Sequence, residues 1–593
     1  MKINWIHIKG FRNYVDEKIH FAQKTLIIGA NDVGKTNLIY ALRILFDRSI
    51  SERDLELNDS DYNAYVQSSE IEITVEIESI TENCLKSAFV GDIKDGITYI
   101  RYTNSKATTY SFWGGFSEES LEARPTRHYI RRLNMECVDT HRNLFQFLRR
   151  EKANLLETAK TQLNDLQTQK DNDSITNVQK SLDKINASIN SLNYIKNSLK
   201  SVNFSLGQLS AHNEDQQVRF VAGNSDAGKL LDNLELSYST GNSPLCVGGD
   251  GRNNQIFIAT WIAKQNIQKS PDHVTFYAIE EPEAHLHPHQ QRKLAQFLVE
   301  SFNEQVFITT HSSQIASCFT PERIVRIYAK EKISYAAQGG CSKNVQLTFD
   351  DFGYRLNAIT AEVFFADGIL LVEGPSEVLF YTALSKHLGI DLDFLNISIL
   401  SVDGVGFKPY VKICKALEIP YVLRTDNDIF SKTKKVPGKK AKQSFKYYAG
   451  VSRLMGIYEE VISSDPNDDI NTFWAEQSPI NEWSVRSDIP TEAKALNLQI
   501  REKVDPYNLF LAKHNLEEDL ADSSLSGALN GFYNCRARDS LVASMQERKA
   551  ENMLAFLKEK EKKLSVLSDD DISMPLKRIA QLVKREVHPN ATN

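Results

Sequence analysis

None of the seven cysteines in this 593-residue chain forms a C-x-x-C pair or stands at zinc-ligand spacing. That argues against a disulfide framework and a structural zinc, and for reduced thiols in a cytosol. No apolar run reaches membrane-spanning length. The opening Met1-Lys2-Ile3-Asn4-Trp5-Ile6-His7-Ile8 enters strand-like alternation directly, so no signal peptide is expected. An excess of positive charge is missing too: the net charge is −7, and any nucleic-acid surface must be local. A cytoplasmic protein without membrane contact is expected. With 41% hydrophobic and 25% charged residues the chain reads as globular, and it is too long for one core.

What is present begins with a phosphate loop. Gly29-Ala30-Asn31-Asp32-Val33-Gly34-Lys35-Thr36 is a complete G-x-x-x-x-G-K-T motif. An apolar strand (Thr25 to Ile28) precedes it and an amphipathic helix (Leu38, Ala41, Leu42, Leu45) follows, as the motif requires. Gly29 and Gly34 let backbone N–H groups wrap phosphates, and the helix N-terminus adds a favourable dipole. Lys35 is expected to reach the β- and γ-phosphates, and Thr36 to ligate Mg²⁺. Asn31, Asp32 and Asn37 complete the candidate ATP–Mg²⁺ contacts. Downstream, the apolar run from Val274 ends in Glu280 and Glu281. There Glu280 suits the Mg²⁺ shell and Glu281 the orientation of attacking water. The run from Gln305 ends at His311, placed for a γ-phosphate. A solvated acidic turn and an exposed histidine are the plainer readings of these two ends.

Ile369-Leu370-Leu371-Val372 is a short buried strand with Glu373 at its carboxyl end. Gly374 permits a turn, and Pro375 suits the first helical position. Glu377 then faces the same spot as Glu373, a costly arrangement unless a cation neutralises both. A second apolar strand, Ile419 to Thr425, leads to Asp426 and Asp428, which alternation in an extended segment puts on one side. The pair of acidic strand ends resembles the Toprim domain of topoisomerases, primases and OLD-family nucleases.

Between the two ATPase strands, Ile175, Val178, Leu182, Ile185, Ile189, Leu192, Ile195, Leu199 and Val202 recur at spacings of three and four. With a turn at Asp171–Ser174, residues 146–212 read as a helical-hairpin insertion, packed within the chain or used for dimerisation. Beyond Asp428 runs a lysine-rich stretch: Lys432, Lys434, Lys435, Lys439, Lys440, Lys442 and Lys446. It reads as a solvated loop or as a clamp on a DNA backbone.

The ATPase segments resemble the ABC-type heads of the RecF, SMC and OLD families. Ile8-Lys9-Gly10-Phe11-Arg12-Asn13 matches their opening, which implies that Arg12 lies near the nucleotide. Gly248-Gly249-Asp250-Gly251-Arg252 stands where their signature is expected, with Gly249 as a nucleotide contact and Gly248 in place of the usual serine. That departure favours nucleotide as a sensed ligand over nucleotide as fuel. Leu516-Glu517-Glu518-Asp519-Leu520 resembles the late acidic motif of OLD nucleases, which implies Glu517 and Asp519 as ligands of a second metal. Gln546 to Met553 resembles the segment carrying their late lysine, here Lys549, which would stabilise charge on the phosphate.

The expected fold class is α/β. Residues 1–145 and 213–357 form an ABC-type ATPase head around the insertion at 146–212. Residues 358–593 form a Toprim domain with a mainly helical C-terminal part. The order resembles the OLD-family ATP-dependent endonucleases, and "LLVEGPSE" and "TDNDI" resemble the nuclease subunits of Gabija anti-phage systems. The resemblance implies cleavage or nicking of double-stranded DNA with Mg²⁺, Mn²⁺ or Ca²⁺ held by Glu373, Glu377, Asp426 and Asp428. It also implies ATP regulation, a homodimer or homotetramer, and a UvrD-like helicase partner. A nucleotide-gated RecF- or SMC-like DNA scaffold with an inactive Toprim domain is the alternative. Topoisomerase-like strand transfer is a third, and it would need a tyrosine nucleophile.

Overall fold

The computed structural model describes residues 1–140, 156, 159–160, 163–209, 226–228, 238–240, 243–245, 249–267, 271–341, 361–402, 406–435 and 442–587. The expected boundaries near 146, 212 and 357, and the signature residue Gly248, lie outside these residues. Two compact units emerge. The first is Met1–Val138, Pro271–Glu283 and Pro288–Asn593; the second is Asp139–Ser270 and Ala284–His287.

Alternating apolar residues open the first unit. Strand β1 (Lys2–Phe11) pairs with β2 (Tyr14–His20) through the turn at Arg12 and Asn13. β3 (Lys24–Ile28) then enters the phosphate loop and helix α1 (Lys35–Phe46). In β4 (Glu70–Glu78) the alternate residues Ile71, Ile73, Val75 and Ile77 are buried, as a period of two requires. β5 (Thr98–Ser105), β6 (Thr108–Gly115) and β7 (Glu122–Arg124) complete an antiparallel sheet of order β2-β1-β4-β5-β6-β7, and β8 (Leu133–Val138) follows.

The second unit holds α2 (Asp165–Ser191), α3 (Asn193–Leu209), the hairpin of β9 (Tyr238–Thr240) and β10 (Ser243–Leu245), and α4 (Asp250–Ile267). No turn forms at Asp171–Ser174. The capping box of Asn164 with Gln167 starts α2 earlier, and the Ser174 hydroxyl bonds back to the Lys170 carbonyl at 2.9 Å within the helix. The chain breaks instead at Leu192, which is extended.

Returning to the first unit, β11 (Val274–Glu280), β12 (Val306–Thr309), β13 (Ile324–Lys330) and β14 (Ile333–Ala336) join β3 and β8 in the order β14-β13-β3-β12-β11-β8. All pairs are parallel except β13 with β14. Leu38, Leu42 and Leu45 of α1 share a core with Ile73 and Val75 of the antiparallel sheet and with Phe276 of the parallel one.

A second parallel sheet, of order β16-β15-β17-β21, comprises β15 (Gly368–Val372), β16 (Ile397–Ser401), β17 (Tyr421–Thr425) and β21 (Leu509–Leu511), with helix α5 (Pro375–His387) after β15. All five residues of β15 are buried, the pattern of a strand covered on both faces. Beside it lie β18 (Ile429–Lys435), β19 (Lys442–Tyr448) and β20 (Glu482–Ser484), an antiparallel sheet, and helix α6 (Ala449–Ile457). Helices α7 (Leu516–Ala521) and α8 (Lys549–Lys560) belong to the C-terminal part. That part is mostly helical, as expected, yet it lends β21 to the sheet.

Arg326 of β13 is 5% exposed and ties the two parallel sheets together. Its guanidinium donates to the carbonyls of Leu417 and Glu418 at 3.2 Å and of Ala366 at 3.3 Å. The Tyr328 hydroxyl donates to the Glu418 carboxylate.

A Cβ on Gly368 would collide with Val583 and crowd Ile579, whereas one on Gly527 meets open space. Gly368→Ala should therefore destabilise the protein by about 1–3 kcal/mol. Gly527→Ala, inside the helix Ser526–Tyr533, should be neutral or stabilising by up to about 1 kcal/mol. Thermal midpoints of the two variants compare them directly.

Candidate active site and nucleotide pocket

The first cluster gathers at the carboxyl ends of β3, β11 and β12, where open parallel sheets bind ligands. Gly34 has φ +109°, and a Cβ on Gly29 would strike the Ile327 carbonyl, so both glycines are needed by the loop's shape. The Lys35 ammonium donates to the carbonyls of Gly29 at 3.0 Å and Ala30 at 2.6 Å. Burial pushes its pKa down to about 8, against the pull of Glu281, Asp32, Glu283 and Glu280. The Thr36 hydroxyl donates to Glu280 at 3.1 Å, so hydroxyl and carboxylate converge as a Mg²⁺ shell requires. Glu281 has φ 45° and sits 3.4 Å from His311 Nε2. Burial, then the Lys35 charge, lowers the His311 pKa, which favours a neutral imidazole at pH 7.

Arg12 flanks this pocket through α1. It donates to Asp61 at 2.9 Å and to Asn37 at 2.8 Å and lies 4.5 Å from the Tyr40 ring centroid. Asn31 and Asp32 are exposed on the loop, Asp32 with φ 61°. Gly249 lies in the second unit, just ahead of α4. Sequence reasoning missed Glu283, which accepts from the Thr310 hydroxyl and the His311 N–H, both at 2.7 Å, and so fixes the end of β12. The loop N–H groups, the ammonium and the hydroxyl–carboxylate pair fit a nucleotide triphosphate with its ion.

The second cluster is acidic. Glu373 stands at the end of β15, and Asp426 and Asp428 follow β17; one oxygen of each lies within 4.8 Å of the others. The two aspartates lie just past the strand end and on one side, as expected. β17 ends at Thr425 because the next amides leave the ladder: Asp426 N–H donates to Glu373 at 2.8 Å and Asn427 N–H to the His514 carbonyl at 2.6 Å. The Ala449 N–H then caps the Asp428 carbonyl at 2.8 Å, and that return to the acids holds both ends of the β18–β19 hairpin beside them. α6 presses on the same turn, since a Cβ on Gly450 would collide with the Asp426 carbonyl.

Around these three acids lie three more, each held by a cation. Arg424 is 3% exposed and donates to Asp426 at 3.0 Å and to Asp519 at 3.2 Å, with Glu377 at 3.9 Å. Glu377 thus stands outside the three-acid group and is nearly buried. Glu517, 1% exposed, pairs with Lys549 at 3.0 Å, so the two late motifs meet each other as well as the Toprim acids. Arg453 of α6 ion-pairs Glu373, and the Thr425 hydroxyl donates to the same carboxylate at 2.6 Å. Arg424 and Arg453 were both missed. Arg424 was detectable as a charge inside an apolar strand; Arg453 is brought in by tertiary packing alone.

Burial pushes the Asp426 pKa up to about 7, with Arg424 opposing and Glu377, Glu373 and Asp428 reinforcing. Burial likewise raises Asp428 and Glu377. Six carboxylates facing three cations make a site deficient in positive charge, and converging carboxylate oxygens are the donors that Mg²⁺, Mn²⁺ and Ca²⁺ take.

A phosphate-loop ATPase joined to an acid-bearing parallel sheet defines the class. The chain belongs to the AAA ATPase domain family, which it matches over residues 1–128 and 129–316. Residues 364–428 match the TOPRIM domain of Overcoming lysogenization defect (OLD) protein-like proteins. It is 26% identical to Endonuclease GajA of Bacillus cereus (strain VD045), over 77% of this chain and 78% of that protein. It is 30% identical to the OLD nuclease of Thermus scotoductus, over 35% of this chain and 41% of the relative. The Old nuclease of Escherichia phage P2 is 27% identical over 31% of this chain and 33% of its own length.

A cation held by Asp426 would have to displace its proton, since burial pushes that pKa up to about 7. Apparent Mn²⁺ affinity should therefore rise up to about tenfold per pH unit from roughly pH 5 to pH 7 and level off above about pH 8. Calorimetric titration across that range checks it; a flat profile would remove Asp426 from the ligand set.

Proposed function

We propose that this protein is a divalent-metal-dependent DNA endonuclease, regulated by ATP, that nicks or cleaves double-stranded DNA in anti-phage defence. The observation that carries the reading is the convergence of Glu373, Asp426 and Asp428 at the ends of adjacent parallel strands. The relatives named as nucleases support it.

Glu373, Asp426 and Asp428 would hold one ion, and Glu377, Glu517 and Asp519 would contribute to a second. Bound ions would supply a nucleophile from water at neutral pH and neutralise the leaving oxygen. The chain's own cations have separate work. Arg424 keeps Asp426 and Asp519 in fixed rotamers by two hydrogen bonds. Arg453 restrains Glu373 from the α6 side. Lys549, half exposed beside Glu517, is available to a phosphate oxygen and offsets charge there.

At the other site Lys35, Thr36 and the loop between Gly29 and Gly34 would bind ATP, with Arg12 and Asn37 bracing α1. Asn31 and Asp32 would border the nucleotide. Glu280 would share its ion with Thr36, and Glu281 with His311 would face the γ-phosphate. Assembly into a homodimer or homotetramer, with a UvrD-like helicase as partner, completes the proposal. No helix among the described residues is long and apolar enough to cross a membrane.

Supercoiled plasmid with Mg²⁺ or Mn²⁺ tests the reading. Glu373→Ala and Asp426→Ala should each lower nicking by about a hundredfold or more. Lys35→Ala should leave nicking in place and abolish its response to ATP. Cleavage unchanged in Glu373→Ala would sink the assignment and favour the DNA scaffold.

A further inference from the structure

Within the lysine-rich stretch after Asp428, Ile429–Lys435 and Lys442–Tyr448 are paired antiparallel strands, and Lys439 and Lys440 lie outside the described residues. Their register sets Phe430 opposite Tyr447, Lys432 opposite Phe445, and Tyr447 opposite Glu482 of β20. Directly opposed residues share a face, and alternate residues along a strand return to it. Phe430, Lys432, Lys434, Phe445, Tyr447 and Glu482 therefore lie on one side. The other side carries Tyr448 and Trp483, 6% and 4% exposed and packed on each other with ring centroids 5.2 Å apart. On the basic, aromatic side Phe430 is 49% exposed, Lys432 and Lys434 are exposed, and Phe445 and Tyr447 are half-buried; the other side is covered only at Tyr448 and Trp483.

The face is a ladder of rings and ammoniums. Lys432 lies 4.7 Å from the Tyr447 ring centroid and Lys434 5.1 Å from that of Phe445. Both ammoniums are also held by Glu482, Lys432 at 2.6 Å. A duplex can use the charges but not the rings, because its bases are stacked on one another. A single strand offers free base faces beside its phosphates, the combination that aromatic–basic surfaces bind. Lys432 and Lys434 repeat at about 6.8 Å, two residues of strand rise, which an extended nucleotide chain can match.

We propose that this face binds single-stranded DNA leading to or from the acid cluster, with bases stacked on Phe430, Tyr447 and Phe445 and phosphates on Lys432 and Lys434. Glu482 is then a built-in competitor, an internal anion occupying the phosphate positions until a strand displaces it. Exposed ion pairs are weak enough for that exchange. The location rests on the nuclease reading, since β18 begins at the residue after Asp428. Strand binding itself needs neither metal nor cleavage.

Fluorescence anisotropy in EDTA at low salt, with a labelled oligothymidylate and a duplex of equal length, tests the proposal. The single strand should bind at least about tenfold tighter than the duplex, and Phe430→Ala should remove about tenfold, with Phe430→Tyr restoring it. The pair Lys432→Gln and Lys434→Gln should weaken binding and flatten its salt dependence. Glu482→Gln should tighten it about threefold or more. Because Glu482→Gln is expected to gain affinity, misfolding cannot mimic its result. Equal or tighter duplex binding, or an affinity unchanged by both Phe430→Ala and Glu482→Gln, overturns the proposal. Intact strand binding in a protein that cleaves nothing would overturn the nuclease reading alone.

Discussion

Carboxylates do not gather in a protein interior without a reason, and the C-terminal sheet is arranged around the cost of gathering them. The parallel strands β15 and β17 end side by side, which brings Glu373 within reach of Asp426 and Asp428. Arg424, inside β17 itself, is the fixed countercharge that lets the neighbouring Glu377, Asp426 and Asp519 exist there. Its own charge is opposed by burial and sustained by Tyr381, Asp426, Asp519 and Glu377, which raise its pKa. Removing one partner of such a buried set strands the others, so the arginine and its acids form a unit. The remaining deficit of positive charge is what a divalent ion would fill.

The nucleotide pocket solves the opposite problem with the same device. There a buried ammonium, Lys35, is held among loop carbonyls and four surrounding acids until a polyanion arrives. Both sites lie at the carboxyl ends of parallel strands, where the chain leaves the sheet and side chains are free to converge. One cluster is prepared for anions and the other for cations.

Local chemistry was legible and tertiary assembly was not. The phosphate loop and the acids after β11 and β15 could be read because strand, turn and helix follow one another within a short stretch of chain. Strand alternation correctly exposed the buried set in β4. The same argument correctly put Asp426 and Asp428 on one side, but it gave no sign that Asn427 N–H turns to the His514 carbonyl, a partner far along the chain that no periodicity announces. The Asp171–Ser174 turn failed: its residues favour caps, but a better capping box at Asn164 and Gln167 had already committed the helix. The meeting of Glu517 with Lys549 was accessible only through family resemblance, since nothing in either short motif specifies the other. Arg453 left no signal, being a surface-type residue on a short helix of ordinary composition.

Arg326 has a bearing on how this chain can be inherited. Its guanidinium, nearly sealed from solvent on β13, satisfies three main-chain carbonyls in the turns that lead into β15 and β17. Main-chain acceptors cannot be mutated away, so no compensating substitution on the far side can release the arginine from its place. A gene rearrangement that replaced β13 with a counterpart lacking the arginine would leave that set of buried carbonyls without a partner. Two domain types that look interchangeable in sequence are thus soldered into one heritable piece, and drift in one half is tolerated only along paths that the other half permits.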